Sequence, residues 1–405
     1  MTISDDLMRY KLEPRRSVHS FHRYFGKLIP GIPAWAIERY TNAGDNVLDP
    51  FSGSGTTAVE ARERGRQAYG IDINGLSTFI SRVKTRRIDE GTLKDVLESV
   101  LGTARTLVHL PDEPYVVNMD HWFRPEVKIE LLRIRGALDA LESPEIREFG
   151  LGVFSAFLRG VSNADPQHVF PGVSKRMRRL EEEGRKIDVT ASFRRAWLKR
   201  AKQVSELEID GLDPTLLTGS ILDYPFGELA LDLIVTNPPY ISSIRYLETM
   251  KIEMGWLGFI KSQSEYLSLD RKVIGTERYY KADLRDIPKT YDTELDGQVE
   301  RIFKTSPKMA RVVSEYFNQM LATWEILAPT VRTSGHVVIK IAPSNVRGEL
   351  LATHNHFTNM LTNLGFRLCE SFDDPYDPNS RSLLTARNTY SGIMTSDQVM
   401  VFQKV

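Results

Sequence analysis

The chain has 405 residues, 41% of them hydrophobic and 26% charged, with 53 basic side chains balanced by 53 acidic ones. This is the composition of a globular protein with room for two or three domains, and it excludes disordered, collagenous and coiled-coil classes. No apolar run approaches the ~20 residues of a membrane span, and Met1 to Asp6 is polar and acidic where a signal peptide is basic and then apolar, so a cytoplasmic protein with no membrane partner is expected.

In chain order, Asn46 to Asp49 reads as a short buried strand, Phe51 to Thr57 as a tight turn, Thr57 to Arg64 as a helix, and Gln67 to Ile71 as a second strand ending at Asp72. Together they form a βαβ unit, whose crossover is right-handed. From about Gly91 to Asp213 the patterns are helical, as in Pro125 to Leu141, where the proline suits a first helical turn. Leu216 to Gly219 and Leu231 to Thr236 are strand-like again. A helix over Met309 to Leu327 precedes three further strands, Gly335 to Ala342, Phe366 to Glu370 and Gln398 to Gln403. Seven strands interleaved with helices predict an α/β fold, a doubly wound and mostly parallel sheet with a large helical insertion. The expected units are 1–90, the first part of the sheet core; 91–213, the helical insertion; and 214–405, the rest of the core with a second insertion at 241–306.

Gly53-Ser54-Gly55-Thr56-Thr57-Ala58 matches G-x-G-x-x-G/A between a strand and a helix, with Asp72 at the end of the next strand. Alone this suits a nicotinamide or flavin enzyme: the glycines admit a ligand close to the backbone, and an acid accepts the ribose hydroxyls. Asp49-Pro50, however, sets a carboxylate where a pyrophosphate would lie near the helix N-terminus. That repels a dinucleotide and favours the ammonium and sulfonium of S-adenosylmethionine. Farther on, an apolar strand runs straight into Asn237-Pro238-Pro239-Tyr240. The prolines keep the Pro238 carbonyl out of any following ladder, leaving it as an acceptor beside the Asn237 amide oxygen, and Tyr240 offers a flat face. Such a turn can hold a planar group that carries an NH2.

Asp49-Pro50-Phe51-Ser52-Gly53-Ser54-Gly55-Thr56-Thr57 together with Asn237-Pro238-Pro239-Tyr240 resembles the S-adenosylmethionine-dependent DNA methyltransferases that modify exocyclic amines of adenine or cytosine. His22 to Pro30 is similar to the family's N-terminal segment over the methionine part of the cofactor, and Gly219 to Asp223 to its third cofactor motif. The similarity covers roughly 19 to 88, 215 to 250 and 310 to 405. It implies a Rossmann-like class I methyltransferase core with S-adenosylmethionine as cofactor. The cofactor residues would be Tyr24, Lys27, Asp49, Phe51, Ser52, Gly53, Gly55, Thr56, Thr57, Asp72, Ile73 and Asp223, with Asp72 on the ribose and Asp223 near the adenine amine. The catalytic residues would be Asn237, Pro238, Pro239 and Tyr240. It further implies double-stranded DNA with a flipped target base as substrate, a prokaryotic or phage setting near the nucleoid, and a cognate restriction or defence protein as a candidate partner. Asn before Pro-Pro is commoner in adenine enzymes and Ser in cytosine enzymes, which favours adenine N6 over cytosine N4. An RNA base amino-methyltransferase and a catalytically silent binding subunit are the alternatives.

Methyl transfer to an aromatic amine needs no nucleophilic side chain, only acceptors that hold the amine hydrogens and free its lone pair. Carbon-5 methylation of cytosine needs a thiolate, and the single cysteine, Cys369, lies in a strand far from the Pro-Pro turn. One cysteine and eight scattered histidines also argue against a metal site. Base flipping calls for phosphate contacts outside the sheet. Ser174 to Lys202 holds eleven Lys or Arg against four acids, a local balance of +7, and Arg176, Arg178, Arg179, Arg194, Arg195 and Lys199 there, with Arg245 after the catalytic turn, are the expected contacts. A solvated helix surface laced with ion pairs is the alternative for this stretch. Two patterns are set aside. Pro111-Asp112 with Glu126-Val127-Lys128 mimics a nuclease signature, but Glu126 follows a helix-starting proline; His354 and His356 lack a third ligand.

Overall fold

The computed structural model describes residues 3–12, 17–209, 212–224, 229–241, 245–375 and 396–405. Residues 1–2 and 13–16 of the first expected unit, 210–211 of the second, and 225–228, 242–244 and 376–395 of the third lie outside the described residues. The strands are β1 Asn46–Asp49, β2 Gln67–Asp72, β3 Thr215–Thr218, β4 Leu231–Thr236, β5 Val331–Ile341, β6 Ser344–Val346, β7 Glu349–Leu351, β8 Phe366–Pro375 and β9 Ser396–Lys404. Seven of them form one sheet in the order β3-β2-β1-β4-β5-β9-β8. β3 through β5 of that order are parallel neighbours, whereas β9 runs antiparallel to both β5 and β8.

These seven are the strands expected from the sequence, with longer limits where pairing extends them. β5 begins at Val331 because its ladder to β4 starts at Leu231↔Val331 and then slips by a bulge, with Ser334 at φ 67. β8 reaches Pro375 because β9 pairs with it as far as Ser396. The hairpin β6–β7 was not visible in the sequence, since strands this short carry no alternation; its turn uses Arg347 and Gly348, both at positive φ.

Alternation sends successive side chains to opposite faces. Val47, Leu233, Val235, Val338, Val399 and Val401 face the helices Gly31–Tyr40 and Thr56–Glu63 through Ile32, Trp35, Ala58 and Ala61. Leu48, Ile234, Val337, Ile339, Met400 and Phe402 face the other way, onto Tyr316, Phe317 and Trp324 of the helix Pro307–Leu327 and Phe357 of Thr353–Asn363. A third core gathers the helix Gly75–Lys84 with Glu90–Thr106, Pro125–Asp139, Pro144–Val161 and Val189–Ser205. Leu247, Ile252 and Trp256, from just after the Asn237–Tyr240 turn, are buried in this same core, where Trp256 meets Phe123 and Phe154 edge-on. The helices of 91–213 and the start of 241–306 are thus packed together. Among the described residues no helix is long and apolar enough to cross a membrane.

The topology positions the site. From β1 the chain winds outward through β2 to β3, then returns to lay β4 on the other side of β1. In an open parallel sheet such a reversal leaves a crevice at the carboxyl ends of the two diverging strands. β1 ends at Asp49, and β4 ends at Thr236, immediately before Asn237.

Candidate active site

The crevice holds about 880 Å³ of open space. The N-terminal segment (Tyr24, Gly26, Lys27), the loop after β1 (Asp49 to Ser54 and Thr56), the end of β2 (Asp72 to Asn74), the turn after β3 (Gly219 to Ile221) and the Pro-Pro turn after β4 (Asn237, Pro239) line it. The structure therefore brings together most of the residues expected from the sequence.

Asp49 is buried and held by three donors. Thr236 Oγ1 reaches its Oδ1 at 2.9 Å, Thr57 Oγ1 its Oδ2 at 2.9 Å, and the Phe51 amide its Oδ1 at 3.1 Å. Burial pushes its carboxyl up to about 6, while the Thr236, Thr57 and Phe51 donors pull it down. Asp72 accepts the amides of Gly53 and Asn74, each at 2.8 Å. Burial pushes it up to about 6 as well, the two amides opposing and Asp49 adding to the rise. Two carboxylates so close to one ligand space, each charged at neutral pH, make a seat for a cation.

The loop between them is shaped by its glycines and supported from behind. Gly53 and Gly55 have φ of 48° and 75°, and a Cβ on Gly53 would come within 3.0 Å of the Tyr24 ring. Ser77, Ser81 and Lys84, spaced i, i+4, i+7 along the helix Gly75–Lys84, form a buried polar stripe against the loop. Ser77 Oγ donates to the Tyr24 hydroxyl at 3.3 Å, Ser81 Oγ to the Gly53 carbonyl at 3.1 Å, and Lys84 Nζ to the Ser54 carbonyl at 2.7 Å. Burial pulls the Lys84 amine down to about 7, Lys27 adding to the drop and Glu60 opposing it. In contrast, the buried hydroxyls of Ser52 and Ser54 have no hydrogen-bond partner. The two carboxylates lining one crevice fit a polar, cationic ligand such as the sulfonium cofactor.

The N-terminal segment is anchored on both sides. His22 Nε2 lies 2.9 Å from Ser155 Oγ, Lys27 Nζ donates to the His19 carbonyl at 2.7 Å, and Arg200 Nε to the Phe21 carbonyl at 2.7 Å. Burial pushes His22 down to about 3, so it is neutral. On the opposite wall, the Asn237 amide nitrogen donates to the Gly26 carbonyl at 2.9 Å, and its oxygen accepts the Tyr240 hydroxyl at 2.9 Å.

Other expected residues fall elsewhere. Gly55 and Thr57 act behind the loop, Pro238 is buried, and Tyr240 meets the site through Asn237. Asp223 is exposed on the 3-10 turn Ile221–Asp223, two residues past the lining residue Ile221. Sequence reading missed the supporting stripe, although two serines and a lysine in register on one helix were a usable signal. It also missed Tyr246, Leu247 and Lys272 to Ile274 as part of the wall. Nothing local in the sequence signals them, since packing onto the helical core brings them there.

Among the described residues, five of the eleven cations of Ser174 to Lys202 have a carboxylate partner. Arg176 bonds the buried Asp165 at 2.7 Å, Arg179 pairs with Glu183 at 3.2 Å, Arg194 with Glu98, and Arg245 with Glu248 at 2.7 Å. The Arg176 guanidinium holds the Asp165 carboxyl well below the usual carboxylate range. Arg178, Arg195 and Lys199 are exposed and pair with no carboxylate among the described residues. Of the patterns set aside, Glu126 sits in the first turn of the helix Pro125–Asp139, and His356 is buried 3.2 Å from Gln298 Oε1.

A DNA methylase family model matches residues 31–76, the span that holds β1, the glycine loop and Asp72. The chain is 38% identical over 116 residues to the Type II methyltransferase M.MjaII of Methanocaldococcus jannaschii, covering 28% of this chain and 22% of that protein. It is 26% identical over 291 residues to the Type II methyltransferase M.MvaI of Kocuria varians, covering 64% and 61%, and 24% identical over 295 residues to M.BsoBI of Geobacillus stearothermophilus, covering 64% and 56%. It spans less than two thirds of the length of each. By these matches the chain is a relative of the DNA amino-methyltransferases of the adenine-N6 and cytosine-N4 class.

Proposed function

We propose that this chain transfers a methyl group from S-adenosylmethionine to an exocyclic base amine in double-stranded DNA, with adenine N6 favoured over cytosine N4. The observation that carries the proposal is the placement of Asn237 and Pro239 on the wall of the same crevice as Asp49 and Asp72, at the reversal of strand order. The cofactor, when bound, supplies a methyl group already activated on a sulfonium. Asp49 and Asp72 would meet its positive charge and ribose, and the Ser52 and Ser54 hydroxyls its remaining polar groups. Asn237 Oδ1 and the Pro238 carbonyl would accept the hydrogens of the base amine, so that its lone pair is withdrawn from the ring and aimed at the methyl carbon. Tyr240 would stack on the extruded base. Cys369, exposed on β8 with its thiol turned to the Arg367 carbonyl, takes no part.

The helices of 91–213 and the segment after the catalytic turn, which share one core, are the proposed target-reading part. A cognate restriction or defence protein is a further proposed partner, drawn from the restriction-type relatives. Incubation with methyl-labelled cofactor and duplex DNA, then nucleoside mass spectrometry, tests the reading. The expected product is 6-methyladenine. Only 4-methylcytosine would overturn the base and keep the chemistry, label in RNA alone would overturn the substrate, and no transfer to any nucleic acid would leave a binding subunit.

A further inference from the structure

The Asn237 amide is held at both ends before any base is present. A carbonyl can only accept, so the 2.9 Å contact to Gly26 fixes the amide nitrogen on that side, and the oxygen is left to Tyr240, whose hydroxyl donates to it at 2.9 Å. The Gly26 carbonyl is itself fixed. Gly26 has φ of 69°, and a Cβ there would lie 3.2 Å from the ring of Tyr246, which lines the same crevice. Tyr24, two residues earlier, packs against Gly53 of the glycine loop. One short backbone segment therefore touches the loop proposed to hold the cofactor and the amide proposed to hold the base amine.

On the reading above, we propose that the Gly26 carbonyl is a positioning group that decides which end of the Asn237 amide meets the target amine, and that the Tyr240 hydroxyl occupies the amide oxygen until the amine replaces it. Residue 237 must then donate toward Gly26. In this chain, aspartate there would set two acceptors against each other at neutral pH, and the pair would be restored only when the carboxyl takes up a proton that it can donate to Gly26. The charged and titratable groups that share the crevice are Asp49, Asp72, Lys27, Lys272, Tyr24 and Tyr246, with Tyr240 in direct contact. The carboxylates would raise the affinity of an aspartate at 237 for its proton and the lysines would lower it. Their own titrations occur in the wild type too and cancel in the difference, which leaves the titration of residue 237, set by the Gly26 carbonyl together with these neighbours.

The test is thermal unfolding of full-length Asn237→Asp and wild type without ligand, from about pH 8 to about pH 5. The variant is expected to unfold at a lower temperature at the alkaline end, with the deficit shrinking by about half or more toward the acid end as the proton returns. A deficit that stays flat or widens on acidification overturns the proposal. Should Asn237→Asp not fold, the side-chain amide of Asn237 can be followed by NMR in asparagine-labelled wild type, assigned by its loss in Asn237→Ala. Slow proton exchange there, retained in Tyr240→Phe, supports Gly26 as the holding group; fast exchange in either protein overturns it. Neither measurement needs a reaction, so a wild type that transfers no methyl group would defeat the functional reading alone.

Discussion

The crevice between β1 and β4 and the cation-rich helices Lys175–Glu182 and Val189–Ser205 use charge in opposite ways. In the crevice, two carboxylates on short side chains are pinned by amides and hydroxyls of neighbouring turns, and no protein cation is ion-paired to either among the described residues. Their charge is left for a ligand. On the helices, Arg176, Arg179, Arg194 and Lys202 each have a carboxylate partner, and Arg200 is turned inward onto the Phe21 carbonyl. Part of that charge is met inside the molecule, while Lys175, Arg178, Arg195 and Lys199 have no carboxylate partner among the described residues. Counting side chains therefore describes the crevice well and overstates the helices, because a motif pins its groups locally while an exposed arginine takes whatever acid the fold brings near it.

The largest effect should come from the catalytic turn. Asn237→Ala is expected to lower methyl transfer by about 100-fold or more, as loss of one positioned transition-state partner does. Calorimetry should find cofactor affinity little changed. Full activity in this variant would break the assignment of the turn. Next comes the seat for the cation: Asp72→Ala should weaken S-adenosylmethionine by about 1.5 to 3 kcal/mol, the worth of hydrogen bonds to a charged group.

The same seat predicts a pH dependence whose sign can be worked out. Asp49 and Asp72 are both raised from 3.8 to about 6. A cationic ligand binds their ionised forms, so its affinity should fall as pH drops through about 6, approaching tenfold per unit for each carboxylate neutralised. Stability of the ligand-free fold should move the other way. The folded protein holds protons between about 6 and 3.8 that the unfolded chain has released, so these two groups favour folding most below 3.8, and that contribution is lost as pH rises through about 6. Affinity and thermal stability measured over the same range would separate the two trends; affinity that rose on acidification would refute the seat.

The smallest effect sharpens the other half of the comparison. Replacing Arg178, Arg195 and Lys199 together should flatten the salt dependence of DNA binding, by about 0.9 in log–log slope for each phosphate that is no longer neutralised, and leave cofactor affinity alone. Arg176→Ala should lower thermal stability with no change in slope, because its partner is the buried Asp165. Equal slopes in the triple variant and the wild type would assign phosphate binding to another surface.

Much of the core was legible because its signals are local. β1 and β4 stand where the short apolar stretches Val47-Leu48 and Leu233 to Val235 lead into Asp49 and Asn237, and the glycine turn is forced by φ values that side chains with a Cβ rarely adopt. Short apolar runs likewise marked all seven strands of the sheet, although ladder partners decided how far β5 and β8 extend. Only the tertiary structure placed Asp223 outside the crevice and Tyr246 on its wall, turned the Asn237 amide toward Gly26, and paired off Arg176, Arg179 and Arg194 of the helical insertion. The physical reason is the same throughout. Backbone geometry and alternation act between residues close in sequence, whereas the partner of a side chain is chosen among groups that are distant in the chain and adjacent only after the sheet has wound outward and returned.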